Sequence, residues 1–343
     1  MSIPVKVTSV DVARRAGVSQ SAVSRVFTPG ASASAETAAK VRRAAQALGY
    51  RPNVLARSLI TGRSRIIGLV VAYLDNQFYP EVVEKLSTAL QARGYHVMMF
   101  MAQQTAGNID AIVDEILDYQ VDGIVTASVA LSSDLAARCR AAGVPVVLFN
   151  RGQDDERLSA VTSDNFNGAR ALARFLVDGG HRKIAYIAGW EGAATQRDRE
   201  NGLLSGLGAA GVTLHARAVG NFRFDQAQEA ARTLFSGSDP SRWPDAVFVA
   251  NDHMAIAVMD VLRAELHLDI PGEVSVVGFD DVPPAAWPAY DLTTVRQDAD
   301  AMVAETIALL LAQIDDPGTA PRRVTLEAPL VIRGSARQPE HRP

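Results

Sequence analysis

The sequence predicts a small all-α helix-turn-helix headpiece followed by an α/β core of two doubly wound parallel-sheet lobes. Three observations carry this expectation. Residues 8–27 hold two short amphipathic helices around a glycine corner. From Ile66 onward, short apolar runs alternate with longer amphipathic stretches, the texture of parallel sheets covered on both faces. Charge is also unevenly spread: residues 1–65 carry 11 Lys/Arg against two acidic residues, and the other 278 carry 23 basic and 36 acidic. A basic head on an acidic body points to a nucleic-acid partner for the head. With 343 residues and a hydrophobic fraction of 48%, the chain has room for two or three domains with their own cores.

The headpiece opens with TSVDVARRAGVSQSAVSRVF, residues 8–27. Thr8 caps a helix with Asp11 three residues on, close to a capping box. Val12, Ala13 and Ala16 form one apolar stripe, and Gly17 supplies the left-handed corner. Val18 fills that corner. Ser19 caps a second helix whose Val23 and Val26 face inward. Gln20, Ser21, Ser24 and Arg25 lie on its outer face, where glutamine suits adenine, arginine suits guanine and serine meets base or phosphate. Thr8 and Ser19, at the two helix starts, join this candidate DNA-facing set. A solvated αα-hairpin has the same pattern; the charge excess favours DNA. A third helix is expected from Ser34 as cap to about Leu48, closed by Gly49, with Val41, Ala44, Ala45 and Leu48 buried.

Residues 51–65, RPNVLARSLITGRSR, read as a short helix too apolar-poor to be stable alone. Leu59 is a candidate minor-groove wedge, with Leu55 and Ala56 along the same face and Arg57 and Arg63 near enough for phosphate. A plain basic linker is the competing reading.

Expected core strands are 66–72, 95–101, 123–127, 144–149, 183–188, 245–250 and 274–279. Helices lie between them at about 79–93, 108–118, 132–141, 167–178, 196–210, 225–236 and 253–266. Ligands of such folds sit beyond the carboxyl ends of strands. Those ends collect Asp280, Asn251, Asn150, Arg197 and Arg199 as polar groups, with Phe78, Tyr79, Phe222 and Trp190 as flat faces. Convergent polar groups between aromatic walls describe a pocket for a hydroxyl-rich small molecule.

Other classes fit less well. The start, MSIPVKVTSV, has no apolar run behind a charged segment, so a secretory signal is not expected. No apolar stretch reaches a membrane span uninterrupted. Cys139 is the only cysteine, which removes internal disulfides and thiolate metal clusters and suggests an ordinary packing role. GLGAAG (206–211) matches a dinucleotide fingerprint but falls at a helix end, where its amides cannot face a pyrophosphate. The histidines are scattered; His181 is expected to cap or pack at a helix-strand corner. Asp280-Asp281 could hold a metal, but no further ligand is evident. No cofactor, metal or catalytic residue is therefore expected, and the location expected is cytoplasmic. A sugar-binding protein without a regulatory role is the remaining competitor.

The ordered motifs DVARRAGVSQSAVSRV (11–26), ALGYRPNVLARSL (47–59), IIGLVVAYLDNQFY (66–79) and SDNFNGARALARFLVDGGHRKIAYIAG (163–189) resemble the lac repressor (LacI-type) family of bacterial transcription regulators. So do RDRENG (197–202), VFVANDHMAIAVM (247–259), DIPGEVSVVGFDD (269–281) and LTTVRQD (292–298), so that the likeness covers nearly the whole chain. The resemblance implies a headpiece over 1–50, a hinge helix over 51–65 and a core over 66–334 like the type I periplasmic sugar-binding proteins, with a tail over 335–343. One lobe is then expected at 66–161 with 294–320, the other at 163–289 with 323–334, with chain crossings near 160–164, 289–295 and 320–325. By position, Gln20, Ser21 and Arg25 match the base-reading sites and Leu59 the minor-groove leucine, with Asn53 and Ala56 on the same hinge face. Phe78 and Tyr79 match the effector-stacking loop, Arg199 the effector-binding arginine, and Phe222, Asn251 and Asp280 further effector contacts; the pair Asn150-Arg151 stands where the lactose-binding member has an aspartate, so a plain galactoside is not the implied ligand. The implied partners are pseudo-palindromic operator DNA, a carbohydrate effector and a second copy of the chain. Ala22 replaces a frequent threonine, and the tail has no leucine heptad, so a homodimer is expected rather than a tetramer.

Overall fold

The computed structural model describes residues 7–28, 31–51, 62–72, 74–102, 106–129, 133–152, 157–237 and 239–339. The chain divides into two units, Met1–Arg65 and Ile66–Pro343. The hinge residues Asn53, Ala56 and Leu59 lie outside the described residues.

The first unit contains α1 (Ser9–Ala16), α2 (Gln20–Phe27) and α3 (Ala35–Leu48). Thr8 and Asp11 form a reciprocal capping box, and Gly17 closes α1 with φ 68°. Ser19 caps α2 and Ser34 caps α3, which ends on left-handed Gly49. Val12, Ala13, Val23, Val41, Ala44 and Ala45 make its buried centre, and Phe27 meets Tyr50 at 6.0 Å between rings. The three-helix expectation and its caps are all present.

The second unit carries two sheets. The first is built from β1 (Ile66–Val71), β2 (His96–Met101), β3 (Gly123–Ala127), β4 (Val146–Phe149), β5 (Ser159–Ser163) and β11 (Arg323–Leu326), in the order β11-β5-β4-β3-β1-β2. Every pairing in it is parallel. Helices α4 (Phe78–Gln91), α5 (Ala106–Asp118), α6 (Ser133–Ala141) and α11 (Ala299–Asp315) belong to this lobe. Gly68 and Gly123 keep the sheet close to its helices: a Cβ at Gly68 would stand 2.8 Å from Ile116, and one at Gly123 2.9 Å from Leu310. The second sheet is also all parallel, with β6 (Ile184–Ala188), β7 (Ala216–Val219), β8 (Ala246–Val249) and β9 (Ser275–Val277) in the order β7-β6-β8-β9. Its helices are α7 (Asn165–Asp178), α8 (Ala194–Ala209), α9 (Phe224–Leu234) and α10 (Asp252–Asp260), the last running into a π-helical turn at Val261–Glu265.

The helix expected as one piece over 253–266 is therefore broken at its end. The other predicted helices and all seven predicted strands are present, with shifted ends. Strands β5 and β7 were not expected: β5, SAVTS, is largely buried but broken up by hydroxyl residues, and the edge strand β7 alternates between half-buried and exposed, so neither has the continuous apolar run that marked the others.

Two lobe assignments need correction. The segment β10 (Thr294–Val295), expected in the first lobe, pairs antiparallel with β12 (Leu330–Val331) and lies along the second sheet through bridges at Thr293 and Arg296. Conversely β11, expected in the second lobe, extends the edge of the first sheet in register with β5. The chain thus crosses at Asp164, at 296–298 and at 327–329, the latter two several residues later than expected. The reason is physical. RVTL alternates like any half-exposed edge strand, and nothing in such a pattern says which of two sheets it will join.

Candidate functional site

The carboxyl ends of both sheets face one cavity. It is lined by Asn76, Tyr79, Ser128 and Asn150 from the first lobe and by Thr195, Arg199, Phe222, Asn251 and Asp280 from the second. The space between these walls holds little more than a water molecule. A larger groove lies elsewhere on the first lobe, lined largely by small apolar residues and prolines near Arg140 and Arg157. The smaller cavity is the stronger candidate because its polar groups converge from beyond six strands of the two sheets.

Six of the seven expected effector residues are brought together here. Phe78 is the exception. It is 2% exposed and packs into the core, stacked on Phe149 at 6.2 Å and edge-on to Tyr79 at 5.4 Å. The helix start that places Tyr79 on the cavity necessarily turns its neighbour away. Asn76, Ser128 and Thr195 were missed. Asn76 sat in the quoted motif and its side chain caps the Phe78 amide at 3.1 Å; Ser128 follows β3 and Thr195 lies in the first turn of α8, and small hydroxyls carry little sequence signal. Arg197 is exposed rather than directed to the cavity.

Arg199 and Asp280 form the polar centre. The guanidinium lies flat on Phe279, 3.8 Å from its centroid. Its Nε donates to Asn165 Oδ1 at 2.8 Å, its Nη1 to the Ala250 carbonyl at 2.6 Å, and its Nη2 stands 3.3 Å from Asp280 Oδ1. The same carboxylate accepts from Gln297 Nε2 at 2.6 Å and, across the lobes, from Asn76 Nδ2 at 3.4 Å. Burial raises the Asp280 pKa while Arg199 opposes the rise. Behind it Asp252 is fully buried, accepting from Thr294 Oγ1 at 2.6 Å and the Val282 amide at 3.0 Å. Burial first, then the Asp280 charge, pushes its pKa up to about 7. Asp281 is not poised for a metal: it is held by Arg296 at 2.7 Å and Arg333 at 2.6 Å. No group of three or more metal-ligating side chains occurs among the described residues.

On the first-lobe wall, Asn150 Nδ2 bonds the Tyr79 hydroxyl at 3.3 Å, and Asn150 Oδ1 is buried with no hydrogen-bond partner among the described residues. Asn251 Oδ1 caps α10 through the Met254 amide at 3.0 Å. Four lining residues have left-handed backbones: Ser128 (φ 63°), Asn150 (φ 53°), Phe222 (φ 60°) and Asp280 (φ 131°). Such conformations cost roughly 1–3 kcal/mol each and gather where side chains must be aimed. Phe222 also needs Gly189, since a Cβ there would stand 2.2 Å from its ring.

In the first unit, Gln20, Ser21 and Arg25 are exposed on α2, and Ser24 is half-buried. Arg25 has no carboxylate partner among the described residues, whereas Arg14 faces Asp11 at 3.6 Å and Lys40 faces Glu36 at 2.8 Å. Gln20 Nε2 donates to Ser9 Oγ at 3.1 Å, which ties the start of α2 to α1. Ser19 and Ser21 share a hydrogen bond at 2.9 Å. Cys139 is buried, and desolvation lifts its thiol to about 11. His181 packs fully buried at the corner between α7 and β6, with Nδ1 3.3 Å from Asp245.

Comparison with known proteins agrees with both halves. Residues 9–53 match the model for bacterial regulatory proteins of the lacI family, and residues 173–336 match that for a periplasmic binding protein-like domain. The chain is 34% identical to the HTH-type transcriptional regulator CelR of Thermobifida fusca, over 94% of this chain and 96% of that protein. It is 30% identical to the ribose operon repressor of Escherichia coli (strain K12), over 96% and 99%. A crystal structure of the lac repressor dimer bound to operator and the anti-inducer ONPF superposes with a TM-score of 0.85 at 26% identity, covering 96% of this chain and 99% of that one. With the capped helix-turn-helix in one unit and two parallel-sheet lobes around one cavity in the other, the chain belongs to the lacI family of bacterial regulatory proteins.

Proposed function

We propose that this regulator binds operator DNA as a homodimer through α2, and that a neutral, hydroxyl-rich carbohydrate in the interlobe cavity sets the strength of that grip. The cavity chemistry carries the reading. Its one carboxylate and one guanidinium neutralise each other, and amides, hydroxyls and two aromatic rings supply the rest. Such a wall suits donors and acceptors spread around a sugar ring better than a charged ligand. The site residues are Tyr79, Asn150, Arg199, Phe222, Asn251 and Asp280, with Asn76, Ser128 and Thr195 added. A similar structure is described as a CelR-cellobiose complex, at 32% identity and a TM-score of 0.72. Room for little more than a water molecule is far below the size of a ligand pocket, so entry requires the lobes to part.

For DNA, the base-reading set is Gln20, Ser21 and Arg25, with Thr8, Ser19 and Ser24 beside them. Asn53, Ala56 and Leu59 would serve the minor groove. A pseudo-palindrome read by paired headpieces follows from the dimer. Action on DNA places the protein in the cytoplasm; no helix among the described residues is long and apolar enough to cross a membrane.

The test is a thermal-shift screen of the full chain with cellobiose, D-ribose, sugar phosphates and nucleosides. A ligand at 100 times its Kd adds about 2.7 kcal/mol to the stability of the unit that binds it. A sugar should raise the melting temperature by several degrees and change retention of a promoter duplex. A shift given only by charged ligands, or one without any effect on DNA retention, overturns the proposal. A chain that binds sugar but shows no salt-sensitive retention of duplex DNA would be the sugar-binding protein considered from the sequence.

A further inference from the structure

Arg151 lies outside the cavity lining, yet it is 3% exposed. It follows Asn150 at the end of β4. Its Nε and Nη2 donate to the Ser128 carbonyl at 3.1 and 2.8 Å, and Nη2 also reaches Ser128 Oγ at 3.1 Å. Ser128 stands at the end of the adjacent strand β3. The guanidinium thus stitches together two strand ends, each of which presents a left-handed residue to the cavity. On its other side the guanidinium carbon lies 5.6 Å from the centroid of Trp190, within reach of a cation–π attraction. Trp190 follows β6 and belongs to the second lobe. Its own loop supports the indole from below: a Cβ on Gly192 would stand 2.4 Å from the ring.

We propose that Arg151 is a positioning residue that fixes the Ser128–Asn150 wall of the first lobe and clasps Trp190 of the second, so that effector recognition and lobe closure become one event. The claim rests on the effector reading above. Only a planar fork meets both demands at once. A lysine keeps the charge, but its single ammonium cannot hold the Ser128 carbonyl and hydroxyl while lying over an indole. A ligand drawing on Ser128 or Asn150 therefore gains from the closed clasp. A second flank holds the lobes differently: His253 Nε2 faces Asp75 at 3.9 Å, and burial lowers the histidine pKa, so no strong ion pair forms there near neutrality.

The chain has three tryptophans, Trp190, Trp243 and Trp287. In a full-length Trp243→Phe, Trp287→Phe background, Trp190 is the sole indole. Acrylamide quenching of its emission reads how freely the clasp opens, for Arg151, Arg151→Lys and Arg151→Ala, first ligand-free and then with cellobiose and with D-ribose. The quenching constant is expected to rise about twofold in both variants, lysine included, while the melting temperature of Arg151→Lys stays within a few degrees. Any probe sugar that binds the parent should bind Arg151→Lys about tenfold more weakly. Unchanged quenching in Arg151→Lys overturns the proposal. So does a rise accompanied by a large loss of melting temperature, because a purely structural arginine would give that. A parent that answers neither sugar counts against those sugars as effectors, and the ligand-free quenching still decides the clasp.

Discussion

Replacing Arg199 by alanine should destabilise the second unit in a way that depends on pH. The guanidinium makes two hydrogen bonds, to Asn165 and Ala250, and is the ion-pair partner of Asp280. Both ionised side chains are about 3% exposed. Removing one member of a buried pair typically costs ~3–5 kcal/mol, because the other charge is left without compensation. For a unit of this size that is a fall in melting temperature on the order of 10 °C. The orphaned Asp280 can escape part of this cost by taking up a proton. Its pKa is already raised by burial and held back by Arg199, so in the variant it rises further. A carboxyl raised above its unfolded value binds more protons folded than unfolded, so stability falls as pH rises. Over the pH range in which Asp280 is protonated in the variant and ionised in the parent, each pH unit adds up to about 1.4 kcal/mol to the gap between them. From pH 5.5 to pH 8 the gap should widen by up to ~3 kcal/mol. Urea unfolding at the two pH values, followed by tryptophan fluorescence, measures it directly. A gap of the same size at both would refute the reasoning, since the cost would then come from packing rather than from an unpaired carboxylate.

Other perturbations probe different parts of the molecule. Arg25→Ala should weaken binding to a duplex selected from random sequence by roughly 1–3 kcal/mol and relax preference at one base pair per half-site; a mobility-shift titration with the same affinity as the parent would remove Arg25 from the base-reading set. Gly202→Ala should cost several kcal/mol, because its Cβ would stand 2.2 Å from the Phe166 carbonyl oxygen, a backbone atom that cannot swing aside; a calorimetric melting temperature equal to the parent's would contradict the close α7–α8 packing. Asp252→Asn should be close to the parent near pH 5, because an amide, like a protonated carboxyl, accepts from the Val282 amide through its carbonyl oxygen and donates to Thr294 Oγ1, and should be the more stable of the two at pH 8. The parent's Asp252 has a pKa raised to about 7, so its contribution to stability declines as pH climbs from about 4 through 7, by up to ~4 kcal/mol, and asparagine has no such loss. Parallel stability–pH curves for the two proteins would show that Asp252 does not titrate in this window.

Much of this was legible beforehand, for identifiable reasons. Helix caps are short-range: Thr8–Asp11, Ser19, Ser34 and the two closing glycines state their roles within four residues, and all appear as expected. Buried parallel strands announce themselves as continuous apolar runs, so all seven predicted strands were found. The site was legible where strand ends carried large or charged groups, as at Arg199, Asn251 and Asp280. It was less legible where geometry depends on a single rotation along a helix, which separates Tyr79 from Phe78, or where the group is a small hydroxyl such as Ser128 or Thr195. The crossings could not be apportioned because β10 and β11 are edge strands of two and four residues, and their partners lie more than thirty residues away in one case and more than a hundred and fifty in the other. Arg151 was legible only as half of the Asn150-Arg151 departure; its weight appears when Ser128 and Trp190 are placed around it.

The later lobe crossing gives the cavity a mechanical attachment. Gln297, in the 296–298 segment, donates both its backbone amide and its side-chain amide to Asp280, at 3.1 and 2.6 Å, and the Asp280 amide donates in turn to Val295 at 2.9 Å. The acid at the heart of the pocket is therefore bolted to a strap that both lobes share. A hydroxyl that competes for that carboxylate loosens a bolt as well as occupying a seat, so ligand chemistry and hinge stiffness cannot be tuned separately in this molecule.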